Sequence, residues 1–74
     1  MGEMRILDTT GDTRVRWKSS NEKDVAVAKQ TFENAVAKGY NAYRLETNDK
    51  KGEPIYEFNK YDEAVLLIPP VAGG

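Results

Sequence analysis

From Thr13 to Lys18 apolar and charged side chains alternate without a break: Val15 and Trp17 fall on one side, Arg14, Arg16 and Lys18 on the other. A period of two marks a strand with one buried face. The short apolar run Met4 to Leu7 precedes it, and the turn-rich "DTTGD" around Gly11 lies between them. The two stretches are therefore expected to pair as an N-terminal hairpin. If Met4 is the natural start, Met1 to Glu3 are a leader ahead of that strand.

The period then changes. In "SSNEKDVAVAKQTFENAVAKGY" the residues Val25, Ala28, Phe32, Ala35 and Val36 recur at helical spacing and form one apolar stripe. Ser19 and Glu22 fit a capping box, and Asp24 places negative charge where the helix dipole favours it. Lys38 stands in the last turn, and Gly39 is the expected left-handed stop. The helix is expected over roughly residues 20–38.

Shorter strands come next. Tyr40 to Glu46 reads as a strand with Tyr43 and Leu45 on one face, and "TNDKKGEP" as a polar loop. Ile55 to Phe58 reads as a further strand and "NKYDE" as a turn. Ala64 to Ile68 is an unbroken apolar run, as expected of a strand in the middle of a sheet. Trp17, Tyr43 and Phe58 are expected in the core. The order strand, strand, helix and three strands predicts an α+β roll, in which one helix covers one face of a mixed sheet of about five strands. The final strand is expected at the centre, beside the first. With 74 residues the chain is read as one domain, residues 1–74, with an exposed C-terminal tail from about residue 69.

Composition narrows the chemistry. There is no histidine and no cysteine, so the commonest general base, the commonest metal ligand and the thiol nucleophile are all missing. The only serines, Ser19 and Ser20, have no imidazole to activate them. We therefore expect no catalytic residues, no metal site and no enzymatic activity. Eleven basic residues against twelve acidic ones give a net charge of −1, without the basic excess of a nucleic-acid binder. No apolar run approaches the roughly 20 residues that span a bilayer, and no signal peptide opens the chain, so a cytoplasmic protein with no membrane partner is expected. The row Arg14, Arg16, Lys18 is either a solvated face or a docking surface for an acidic partner.

The last residues, "LLIPPVAGG", hold the remaining chemistry. Pro69 and Pro70 cannot donate ladder hydrogen bonds and favour extended backbone, so they end the strand and project the last four residues away from the sheet. Val71 is an apolar handle for a partner's groove. Gly73 and Gly74, without side chains, let a foreign active site close around the terminal carboxylate. Pro70, Val71, Ala72 and Gly73 thus read as a stalk that threads into a partner, with Gly74 as the group it presents. The plainer alternative is a frayed terminus.

The layout, the length and this ending resemble the β-grasp family that includes ubiquitin and the bacterial sulfur carriers of molybdopterin and thiamine synthesis. "PPVAGG" at Pro69 to Gly74 is similar to the ending of the molybdopterin sulfur-carrier subunits, and "TTGDT" at Thr9 to Thr13 resembles the first hairpin turn of ubiquitin. Ala72 stands where ubiquitin has an arginine, which leans the tail toward the bacterial carriers. The resemblance implies a β-grasp (ubiquitin-like) roll and a Gly74 carboxylate that a separate enzyme adenylates. It implies ATP and magnesium held by that partner, with no cofactor of this chain's own. It also implies a sulfur donor or a protein target downstream, and a metallopeptidase as a further partner. Sulfur carrier and protein modifier both stay open, as does a non-covalent β-grasp interaction module whose tail never reacts.

Overall fold

A computed structural model describes residues 1–8, 10–45 and 51–70. The elements are β1 (Gly2–Asp8), β2 (Gly11–Trp17), α1 (Glu22–Ala37), β3 (Asn41–Leu45), β4 (Lys51–Ile55) and β5 (Ala64–Ile68). The strands make one sheet in the order β2-β1-β5-β3-β4. β1 and β5 run parallel, and every other pairing is antiparallel. The fold is thus α+β, with one helix on a mixed five-stranded sheet, and the apolar run Ala64–Ile68 lies at its centre as its composition requires.

The β1–β2 ladder runs unshifted from Gly2 opposite Trp17 to Asp8 opposite Gly11. Gly11 takes φ +131°, a conformation open to glycine and costly for other residues. Gly2 and Glu3 are paired strand residues.

One face of the sheet is packed. Met4, Trp17, Ala42, Val65 and Leu67 are buried on it against Ala28, Phe32 and Ala35 of α1. Phe58 closes the Trp17 end, its ring centroid 5.0 Å from that of Trp17 and 6.0 Å from that of Phe32. Asp62 is buried nearby and accepts from Arg44 Nε at 3.0 Å, which fastens the 56–63 segment to β3.

The helix departs from expectation at both margins. Its cap is Asn21, whose Oδ1 accepts from the Asp24 N–H at 3.0 Å, rather than Ser19. Ser19 instead belongs to the turn closed by the bond from Asn21 N–H to the Lys18 carbonyl. Val36 is 38% exposed, because Ala35 takes the core-facing place next to it and leaves Val36 on the rim. At the other end Gly39 stops the helix as expected, with φ +96°. The bonds from Gly39 N–H to Val36 O and from Tyr40 N–H to Ala35 O form a Schellman cap. The second of these holds Tyr40 at the helix end, and β3 begins one residue later.

β4 also differs from its expected place. It occupies Lys51–Ile55, part of the stretch read as a loop, and Tyr56 to Phe58 fall outside it. β4 is an edge strand, where a proline such as Pro54 is tolerated because one row of backbone groups has no partner. Tyr43 is half-buried on the face away from the helix, not in the core.

Phe32→Ala should destabilise the fold by about 3–5 kcal/mol, as loss of a buried aromatic does. Val36→Ala, on the rim, should cost under about 1 kcal/mol. Urea unfolding of both variants checks the assignment, and equal losses would refute it.

Candidate functional site

β1 and β5 are parallel, so the end of β5 lies at the same end of the molecule as the β1–β2 turn. β3 runs against β5 with Asn41 opposite Ile68, which brings the α1–β3 connection to that end too. Pro69 is half-buried and Pro70 exposed. A Cβ at Gly39 would stand 3.5 Å from Cγ of Pro70, so the proline ring rests beside the helix stop. The chain therefore leaves the central strand against the C-terminal end of α1. Val71, Ala72, Gly73 and Gly74, expected to thread into a partner, lie outside the described residues.

The face of the sheet away from the helix carries the other candidates. Arg14 and Arg16 are exposed there, as the alternation predicts. Arg16 Nε donates to Glu3 Oε2 at 2.8 Å across the β1–β2 ladder. That hydrogen bond is the largest cause holding the Glu3 carboxyl below its ordinary value; desolvation opposes it, and the charges of Arg16, Arg14 and Arg5 reinforce it.

Arg5 is the residue that the sequence pattern leaves hidden. It stands directly opposite Arg14 on the ladder, and Leu66 of β5 and Tyr43 of β3 continue the same row across the sheet. Like charges at opposed positions repel, and among the described residues neither Arg5 nor Arg14 has an ion-pair partner. The Arg5 Nε is also buried without a hydrogen-bond partner. A signal is present in the sequence, since Glu3, Arg5 and Leu7 alternate with Met4 and Ile6, but so short a run reads simply as apolar.

The row thus offers two guanidinium groups, with Glu3 as the nearby carboxylate, beside a half-buried apolar strip, which complements a surface carrying carboxylates and apolar groups. Among the described residues no group of acidic side chains could hold a metal ion, and no helix is long and apolar enough to cross a membrane.

Glu3 fixes the sign of one pH effect. Its carboxyl is depressed in the folded state, so the stability it contributes is present above its ordinary value of 4.5 and is lost as pH falls through the folded value. Thermal melts of Glu3→Gln should approach those of wild type as pH drops below that window and fall short of them at neutral pH. A constant difference across the range would refute the coupling. No family model matches this chain, and no curated protein or solved structure matches it either.

Proposed function

We propose that this chain is a ubiquitin-like carrier or modifier of the β-grasp class, whose Gly74 carboxylate is adenylated by a partner enzyme. One observation carries the reading: the "PPVAGG" segment continues directly from β5, the strand held between β1 and β3 at the centre of the sheet. β5 is hydrogen-bonded on both sides, so the segment is rooted in an anchored strand. The strand order β2-β1-β5-β3-β4, with β5 parallel to β1 and one helix across the sheet, supports a β-grasp roll.

The chemistry asks little of this chain. A free carboxylate is a poor electrophile until one oxygen becomes a leaving group. In adenylation a Gly74 oxygen attacks the α-phosphorus of ATP, the α–β bond breaks and pyrophosphate departs. A sulfur nucleophile or an enzyme thiol then attacks the carbonyl carbon and AMP leaves. ATP, magnesium and the catalytic groups belong to the partner. Sulfur from a donor leaves a thiocarboxylate on Gly74, whereas an enzyme thioester passes the acyl group to an amine on a target protein and releases the thiol. A metallopeptidase that cuts after Gly74 would release or expose the same carboxylate. Gly73 and Gly74 suit this role because neither has a Cβ to obstruct a close-fitting site. Arg14 and Arg16 would meet an acidic surface of the activating enzyme.

A second reading, a non-covalent interaction module with an unreactive tail, is favoured by the Arg5–Arg14 pair, which fits an acidic partner whether or not the tail reacts. Pyrophosphate release by an adenylating enzyme from the same cell separates the two. Wild type should support ATP-dependent release, and loss of Gly73 and Gly74 should abolish it. Gly74→Ala should depress it strongly, while both variants melt within about 0.5 kcal/mol of wild type. Equal turnover of the shortened variant and wild type would overturn the carrier reading and leave the binding module.

A further inference from the structure

On the helix side of the sheet, opposite the arginine row, the segment leaving β4 stands off α1 and leaves an open groove of about 510 Å³. That is within the range of roughly 300–1,000 Å³ typical of small-molecule sites, and so ample for one long side chain. Phe32 and Phe58 line it from helix and loop, and Tyr56, 83% exposed, stands at its rim. The helix adds Glu33 and Lys29, and the loop adds Glu57. Among the described residues none of these three charged side chains is in an ion pair.

Two carboxylates and one ammonium leave the rim net negative. Carboxylates only accept hydrogen bonds, and aromatic faces attract positive charge. The complement of such a groove is a cationic head on an apolar stem. We propose that it receives a lysine or arginine side chain presented by a partner protein. A protein segment, rather than a free amine, suits the surroundings. A second groove of about 370 Å³ shares Val36 and Tyr56 with the first and runs on past Pro54 and Ile55. The two adjoin at Val36 and Tyr56, and the residues flanking the cation would lie toward the second. The exposure of Tyr56 and the rim position of Val36 then have a common use, since both border the two grooves. The inference is independent of the tail and of the arginine row.

The test is a titration of the labelled full chain, read by amide ¹H–¹⁵N shifts. The probes are N-acetyl-lysine N-methylamide, N-acetyl-arginine N-methylamide, their neutral norleucine counterpart and n-butylammonium. At least one of the two cationic amino-acid probes should shift the amides of Glu33, Val36, Tyr56, Glu57 and Phe58, and the norleucine probe should bind more weakly. Glu33→Gln and Glu57→Gln should each weaken the cationic probe by about two- to fivefold, as loss of an exposed ion pair does. Lys29→Gln should tighten it, and 1 M salt should weaken it. Tyr56→Ala should weaken it more than Tyr56→Phe, which keeps the ring. All these positions lie outside the buried core, so the variants should fold.

Equal binding of norleucine and the cationic probes would overturn the proposal. So would carboxylate variants that bind like wild type, or tighter binding on loss of a carboxylate. Tighter binding of n-butylammonium than of both acetylated amino acids would overturn the assignment to a protein partner and give the site to a free amine.

Discussion

The Trp17 ring lies against Gly2, which has no side chain to hold it off, and its indole N–H donates to the Lys60 carbonyl at 2.9 Å. The ring is 1% exposed, yet it stands at the last position of an edge strand, where a side chain would ordinarily be half-wet. Phe58 supplies the missing cover. It is carried by the irregular segment 56–63, which in turn is fastened by the Arg44–Asp62 pair and by the bond from Glu3 N–H to the Glu63 carbonyl. Strands β1 and β2, the helix through Phe32, and the approach to β5 thus meet at one aromatic cluster. A methyl group at Gly2 would overlap the indole, so the close approach of β1 to that ring is a constraint on backbone as well as on side chain.

That cluster closes one end of the molecule and leaves the other for the chain's exit. The β1–β2 turn, the Schellman cap at Gly39 and the Pro69-Pro70 pair all gather at the far end. Aromatic packing is concentrated where the 56–63 segment folds back, and the proline pair departs from a strand already bonded on both sides. A domain of this size has little core to spare, so a tail that borrowed packing from it would weaken both.

The two faces of the sheet differ in the same spirit. The buried part of the inner face is apolar, and Arg44 reaches past it to Asp62. The outer face holds Arg5 and Arg14 at opposed positions, a repulsion tempered by the Glu3 carboxylate, which feels the charge of both. Repulsion across a ladder is modest, a fraction of 1 kcal/mol to about 1 kcal/mol, and a folded domain can carry it. An acidic surface docked there would relieve it further and add to whatever affinity the neighbouring Leu66 and Tyr43 provide. The groove by Tyr56 has the opposite charge and lies on the opposite side, so the two surfaces suit different partners.

Local pattern decided much of this protein. The alternation in β2 set Trp17 inward and Arg14 and Arg16 outward, the helical stripe placed Phe32, and Gly39 marked the helix stop. Each is settled within a few residues, by periodicity or by a conformation only glycine adopts readily. The end of β5 before Pro69 was also legible, since a proline cannot donate to a ladder. Tertiary structure was required for everything that depends on a distant neighbour. Arg5 matters because Arg14 stands across from it, and no count along β1 reveals that. β4 formed around Pro54 because it found itself at an edge, and Phe58 left the strand because the Trp17 ring offered it cover. Asn21 displaced Ser19 as cap because the turn after Lys18 brought its carboxamide to the Asp24 amide. Periodicity fixes which way a side chain points from its own backbone; only the folded chain decides what it meets there.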